Sequence, residues 1–246
     1  MSVSYRFSLI IPAHNEESYL PRLLDTVDVA RKEYRRGADA IEVVVADNVS
    51  TDRTSEIARS RGCRVVSVSK RVIAAARNGG AKVARGEVLA FLDADSQMHP
   101  QTFNAIERAM ASGKFIGGAT GLKLERMSVG IALTFMGMVP MVWITGMDAG
   151  VVFCRREDFE IVGGYNEERL FAEDVQFLWD LKRWGRERGQ RLTRVTSVKA
   201  IASTRKFDRF GDWHYLTGLT RGLYFLLFAR QAGLAFAKHY WYEDPR

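Results

Sequence analysis

The sequence predicts an α/β protein built on a mostly parallel sheet with flanking helices and a helical, apolar C-terminal region. Three observations predict it. Strand-like and helix-like patterns alternate through the first half of the chain, the signature of a parallel sheet with crossover helices. The apolar run Val88 to Leu92 ends abruptly in Asp93-Ala94-Asp95, as expected of a strand buried on both faces that delivers carboxylates only at its carboxyl edge. And 246 residues, 47% of them hydrophobic, can bury one large core, so disorder is excluded.

Element by element, strands are expected at Phe7 to Ile11, Ile41 to Ala46, Arg64 to Val68 and Val88 to Leu92. Between the first two, Leu20, Leu23, Leu24, Val27 and Ala30 recur at helical spacing, and Pro21 is tolerable because it falls in the first turn. Thr51 and Asp52 offer N-cap chemistry for a second helix, and Ile73 to Ala84 is an Ala-rich third. A helix is expected from Pro100 to Met110 and a strand from Phe115 to Leu124. Later, Phe177, Leu178, Leu181 and Trp184 form one apolar helical stripe behind Glu173-Asp174. Met127 to Met147 carries no charge but is diluted by Gly130, Gly137, Pro140 and Thr145, so a buried or interfacial helix pair is expected there rather than a membrane span. No repeat or linker marks a boundary. The chain reads as a single domain, residues 1–246, in three parts: 5–112, 113–204 and a helical extension over 205–246.

The net charge of +7 favours a polyanionic partner. It is spread along the chain, with only short clusters such as Arg35-Arg36, Arg155-Arg156 and Arg205-Lys206, so a nucleic-acid groove is excluded in favour of phosphorylated substrates. Cys63 and Cys154 lack metal-ligand spacing and read as core residues of a reducing compartment. The N-terminal apolar run is too short for a signal peptide, and a cytoplasmic protein is expected.

The chemistry is concentrated at strand ends. Asp93 and Asp95, two hard oxygen donors one residue apart with Gln97 two residues on, suit Mg²⁺ or Mn²⁺ held against a pyrophosphate. Pro12 ends the first strand, and the loop with Asn15 and Glu16 can wrap a nucleoside at the sheet edge. Asp47, ending the second strand, can accept the ring N–H that uracil and guanine offer and cytosine lacks; plain turn chemistry is its competing use, as capping is for Asp52. A phosphatase with an Asp nucleophile also uses Asp-x-Asp after a strand, but it needs Thr or Val where this chain has Gln97. No Gly-x-Gly-x-x-Gly follows the first strand, which excludes dinucleotide oxidoreduction.

These motifs carry a resemblance. Ser8 to Glu17, Val43 to Thr54, Ala76-Arg77-Asn78-Gly79-Gly80, Ala84-Arg85-Gly86-Glu87, Asp93-Ala94-Asp95, Gly163-Gly164-Tyr165-Asn166-Glu167 and Glu173-Asp174 resemble family 2 glycosyltransferases in order and spacing, over about residues 5 to 185. The resemblance implies a GT-A fold with a Rossmann-like sheet, a nucleotide-sugar donor, a divalent cation and inversion at the anomeric carbon. It implies that Asp47 contacts the base, that Pro12, Ala13, Asn15, Glu16, Arg77, Asp93 and Ala94 bind the nucleotide sugar, and that Asn78 lies near it. Asp93, Asp95 and Gln97 are then the metal ligands; Gln97 enters because Asp-Ala-Asp-x-Gln also resembles polyprenyl-phosphate mannosyltransferases. Asp174 is the implied general base, and Glu173 orients or binds acceptor. Two departures stand out. The family often has Asp-Asp-Gly-Ser where this chain has Asp47-Asn48-Val49-Ser50, and the Gln-x-x-Arg-Trp signature of processive members is missing, so single transfers are expected.

The acceptor stays open. A hydroxyl needs Asp174 as base, whereas a polyprenyl phosphate is already ionised and needs only cations such as Lys123, Arg126 or Arg205. A non-catalytic nucleotide-sugar-binding protein is the third reading. The aromatic C-terminal stretch, from Trp213 and Tyr215 to Trp241 and Tyr242, together with the basic charge, leaves open a peripheral contact with an anionic membrane.

Overall fold

A computed structural model describes residues 5–145, 147–148, 150–169 and 172–214. The aromatic stretch from Tyr215 to Tyr242, with His239, lies outside the described residues. Seven strands, β1 Phe7–Ala13, β2 Ile41–Asp47, β3 Arg64–Ser67, β4 Val88–Phe91, β5 Phe115–Leu124, β6 Val152–Arg155 and β7 Arg191–Ala202, form one sheet in the order β3-β2-β1-β4-β6-β5-β7. The first four strands are parallel; β6 runs antiparallel to β4, and β5 antiparallel to β6. The helices are α1 Leu20–Lys32, α2 Thr54–Ser60, α3 Ile73–Val83, α4 Thr102–Ala111, α5 Val129–Thr145, α6 Arg156–Val162, α7 Glu173–Glu187 and α8 Arg205–Phe210.

Alternation along β1 divides the core. Phe7, Leu9 and Ile11 face one side and pack with Leu20, Leu23, Leu24 and Val27 of α1 and Phe103 and Ile106 of α4. Ile10 faces the other side with Ala74 and Ala81 of α3, Phe159 of α6 and Phe177, Leu178 and Leu181 of α7. Successive strand residues point to opposite faces, so a strand covered on both sides is largely apolar, and a polar residue in it, such as Ser8 or Glu42, needs a partner, which these two find in each other. β1, β2 and β4 are buried at every position.

Two differences from the expected elements have local causes. β1 runs through Pro12 to Ala13, which pair with Ala46 and Asp47. Pro12 is allowed because Ala13 bonds toward β2, leaving the missing N–H of Pro12 on the β4 side, beyond the last β4 rung at Ile10–Phe91. The uncharged middle segment is one helix, α5, rather than a pair, and it continues through Pro140. Among the described residues no helix is long and apolar enough to cross a membrane.

The chain divides into two compact units, Met1–Lys123 with Met147–Ala202 and Leu124–Gly146 with Ser203–Arg246. Within the second, Arg126 pairs with Asp208 at 2.5 Å and with both oxygens of Asp212 at 2.7 and 3.2 Å. Arg126, expected as a phosphate-holding cation, is therefore already neutralised by two acids. His214 binds the Gly211 carbonyl through Nδ1 at 2.7 Å.

Candidate active site

At the carboxyl edge of the parallel strands, the loops after β1, β2 and β3 are tied together. Asn48 donates its backbone N–H to the Ala13 carbonyl at 2.8 Å and its side-chain amide to Val68 and Lys70 carbonyls at 3.1 and 2.7 Å. The Asn15 N–H donates to Ser50 Oγ at 3.1 Å, while Asn15 Oδ1 accepts from the Thr51 N–H at 2.8 Å. The buried Glu16 donates its N–H to Thr54 Oγ1 at 2.8 Å. Thr51 is thus spent on Asn15, while Asp52 Oδ1 accepts from the N–H of Thr54, the first residue of α2, at 2.9 Å. Asp52 Oδ2 takes the Glu17 N–H, and these bonds help hold its pKa low against burial.

Asp47 is buried in this knot. One oxygen accepts from the Ser50 N–H at 2.9 Å and the other from Ser55 Oγ. The turn chemistry weighed against base recognition is therefore present, and it uses one acceptor position on each oxygen; a carboxylate has about four. Val49, where the family often has glycine, is held at φ 62°, a conformation in which a β-branched side chain is strained.

On the α3 side, side-chain-free positions set the geometry. A Cβ on Gly79 or Gly80 would lie 2.5 Å from Val68 Cγ2 or 2.4 Å from Ile10 Cγ2, so the glycine pair lets α3 settle onto the strands. That seating buries Arg77, 4% exposed, under the sheet edge. Its guanidinium gathers three carboxylates: Glu173 Oε1 at 2.7 Å, Asp174 Oδ1 at 2.8 Å and Asp93 Oδ1 at 2.9 Å. The three differ in access. The Glu173 side chain is 10% exposed, Asp174 38% and Asp93 50%.

Asp174 is divided: Oδ1 is enclosed, while the rest of the carboxyl reaches solvent. Burial pushes its pKa up to about 7; Arg77 pulls it back, and the Glu173 and Asp93 carboxylates push with burial. The loop feeding α7 is fixed from α3 as well. Gly163 and Gly164, at φ 82° and 71°, end α6 and turn the chain into Tyr165, whose backbone N–H and carbonyl both bond to the Asn78 amide at 2.9 Å. Asn78 also reaches Glu167 Oε1 at 3.0 Å, so it clamps this loop, a use its place beside Arg77 in sequence does not reveal.

Asp95 and Gln97 follow Asp93 in a tight turn closed by the Ser96 N–H and the Asp93 carbonyl at 3.1 Å. Ala94 is buried, and the Asp95 carbonyl accepts from Arg22 Nη2 at 3.5 Å. Gln97 exchanges both backbone bonds with Ile201, at 2.8 and 2.9 Å, anchoring the turn to the end of β7. Among the described residues no group of three or more His, Cys, Asp or Glu side chains is placed to hold a metal.

The structure thus brings Arg77, Asp93, Glu173 and Asp174 together and sets Pro12, Ala13, Asn15, Glu16 and Asp47 around the neighbouring strand ends. Sequence reasoning gave no role to Tyr165, whose ring lies 5.1 Å from the Arg77 guanidinium. An aromatic residue after Gly-Gly was the signal.

A sheet of this order with helices on both faces is the GT-A fold of solved glycosyltransferase structures. Residues 8–123 match the family model for glycosyl transferase family 2. Curated relatives include an undecaprenyl-phosphate 4-deoxy-4-formamido-L-arabinose transferase from Pseudomonas paraeruginosa, 34% identical over 119 residues, 46% of this chain and 34% of the relative. A validoxylamine A glucosyltransferase from Streptomyces hygroscopicus is 37% identical over 111 residues, 42% of this chain and 23% of that one. The match spans about a third or less of these relatives' length. Among solved structures, a mannosyltransferase from Pyrobaculum calidifontis in complex with GDP-Man and Mn²⁺ superposes with a TM-score of 0.62 at 22% identity, covering 80% of this chain and 56% of that one. Glucosyl-3-phosphoglycerate synthase from Mycobacterium tuberculosis, in complex with Mn²⁺, UDP and glucosyl-3-phosphoglycerate, gives 0.61 at 19% identity, covering 84% and 75%.

Proposed function

We propose that this chain is an inverting, metal-dependent glycosyltransferase that moves a single sugar from a UDP- or GDP-linked donor to a hydroxyl acceptor. The observation that carries the reading is the convergence of Asp93, Glu173 and Asp174, from distant parts of the sequence, on the one buried guanidinium of Arg77. Pro12, Ala13, Asn15 and Glu16 line the nucleoside, and Asp47 uses its spare lone pairs to accept a ring N–H. Arg77, Asp93 and Ala94 border the sugar and diphosphate.

Asp93 and Asp95, with Gln97 as a further ligand, would hold Mn²⁺ or Mg²⁺. The fit is chemical: the half-exposed Asp93 carboxylate at the strand edge is a hard oxygen donor suited to an ion that completes its shell with phosphate oxygens and water. When bound, the ion would stabilise the charge that develops on the leaving diphosphate. Asp174, with a pKa near the working pH, takes the acceptor hydroxyl's proton as that oxygen bonds to the anomeric carbon. The bond from that carbon to the phosphate oxygen breaks on the opposite face, and the electron pair leaves with the nucleoside diphosphate. Glu173, locked on Arg77, orients the acceptor side of the site.

A second reading is transfer to a polyprenyl phosphate at the cytoplasmic membrane face, supported by the name of the Pseudomonas relative and by the exposed Lys123 at the end of the matched region. The test is nucleoside diphosphate release from UDP- and GDP-sugars in Mn²⁺, with a hydroxyl and a polyprenyl-phosphate acceptor, and the anomeric configuration of the product by NMR. Release with inversion and one sugar per hydroxyl acceptor is expected. Retention contradicts the mechanism, release only with the lipid favours the second reading, and donor binding without release makes the chain a binding protein.

A further inference from the structure

The charge gathers more than its short clusters suggest: residues 182–194 carry six cations and one acid, Glu187. The fold lays this stretch along the second half of α7 and into β7. Part of it has ordinary uses. Arg188 holds the buried Asp158 at 2.8 Å and Arg194 pairs with Asp148 at 3.0 Å, while charges along β7, the last strand of the sheet, guard that edge against pairing with another chain. A cation in the last turn of α7, where Arg186 stands, suits the helix dipole. Trp179, Lys182 and Arg183 lie outside these uses. With Arg186 they fall at i, i+3, i+4 and i+7, one stripe of α7, while Phe177, Leu178 and Leu181 put the opposite side into the core. Trp179 is 42% exposed, although tryptophan is highly buried on average, and Lys182 Nζ lies 4.8 Å from its ring centre. Arg183, paired with Asp180 at 3.1 Å, and Arg186 are exposed.

We propose that this stripe, Trp179, Lys182, Arg183 and Arg186, docks the protein on an anionic phospholipid bilayer. An indole settles at the level of the lipid headgroups, and lysine and arginine reach the phosphates while their alkyl stems lie against the apolar boundary. Anionic lipid attracts each cation near its surface, and four residues in one row along a helix meet a flat surface together. Single-stranded nucleic acid fits less well, because the ring on which a base would stack already carries Lys182. Asp174 stands five residues before Trp179 on the same helix, about 7.5 Å along its axis, so docking here holds the candidate site near the bilayer whichever acceptor it uses. The proposal stands on charge and exposure and does not depend on the sugar-transfer reading.

The test is co-sedimentation of the full chain with vesicles of phosphatidylcholine alone and of phosphatidylcholine mixed with phosphatidylglycerol. It is run at about 0.1 M and about 1 M salt, between which the screening length falls from about 10 to about 3 Å. Binding is expected with phosphatidylglycerol only, and weaker at the higher salt. Each cation near an anionic surface is worth about fivefold in affinity, so the triple variant Lys182→Gln, Arg183→Gln, Arg186→Gln should bind roughly a hundredfold more weakly. Trp179→Ala should weaken binding by a factor that salt does not change, since indole burial is not screened. The control removes three equally exposed charges at the end of α1, as Lys32→Gln, Arg35→Gln, Arg36→Gln, and should bind nearly as the parent does. Absence of parent binding to phosphatidylglycerol vesicles, or an equal loss in the two triple variants, overturns the proposal. So does a single-stranded oligonucleotide that displaces the parent from the vesicles, which would assign the stripe to nucleic acid. None of these outcomes touches donor release, so this proposal and the sugar-transfer reading fail separately.

Discussion

Replacing Arg77 with methionine keeps its length and removes its charge, leaving three carboxylates around an apolar side chain. Their accessibilities decide the cost. Arg77 is 4% exposed and the Glu173 side chain 10%, so this is a buried pair, and stranding one partner costs about 3–5 kcal/mol. Asp93 and Asp174 face solvent at 50% and 38%, and screened pairs of that kind add only about 0.2–1 kcal/mol each. The loss is therefore dominated by Glu173, and the melting temperature should fall by roughly 6–20 °C, at about 2–4 °C per kcal/mol for a chain of this size. The pH dependence has a definite sign. Burial raises Asp174 to about 7 in the folded chain, and without Arg77 it rises further, so the folded state holds a proton that the unfolded state has lost. The stability this contributes is fully present below about pH 4 and is lost as pH rises through the folded pKa. The variant should thus lie closer to the parent at pH 5 than at pH 8. Thermal unfolding at both pH values measures this, and Arg77→Lys, which keeps the charge but loses the planar fork, should recover only part of the loss. An unchanged melting temperature at pH 8, or a deficit that grows as pH falls, refutes the account of the cluster.

Three further outcomes are expected. Asp95→Ala should abolish the Mn²⁺-dependent part of UDP or GDP affinity in calorimetry, and undiminished affinity would remove Asp95 from the ligand set. The parent should bind UDP or GDP more tightly than CDP, and Asp47→Ala should lose that preference; equal affinity of the parent for all three diphosphates would leave Asp47 with only its bonds to Ser50 and Ser55. Val49→Gly should raise stability by about 0.5–1 kcal/mol in urea unfolding, because relief of roughly 1–2 kcal/mol of left-handed strain exceeds the extra chain entropy of glycine. Destabilisation by that change would mean that the Val49 side chain makes a contact worth more than the strain.

The parallel half of the sheet was legible because burial on both faces writes continuous apolar runs, and every expected strand through Val88 to Leu92 lies in it. The α1 stripe was equally plain: Leu20, Leu23, Leu24, Val27 and Ala30 are its buried residues. β6 and β7 were not read. β7 carries charges along a mostly exposed or half-buried length, so it writes no continuous apolar run. In the site, the carboxylates at strand and helix ends were legible as types, but their meeting on Arg77 was not, since nothing local in an Ala-rich helix says which carboxylates a buried arginine will gather. Asn78 and Tyr165 escaped for a related reason: their partners lie across a long loop, and only the folded chain puts the Gly163-Gly164 turn against α3.

If Asp174 is the base proposed above, single-turnover transfer to a hydroxyl acceptor by Asp174→Asn, with donor affinity measured alongside, exposes it most directly. Asparagine keeps the shape and cannot take the proton, so the rate should fall by about 10²–10⁴-fold while donor affinity stays near that of the parent. In the parent the rate should climb as pH rises through about 7, where Asp174 ionises, and the variant should lose that limb. A rate near that of the parent for Asp174→Asn on the acceptor it uses best would contradict the account and put the lipid-phosphate reading ahead.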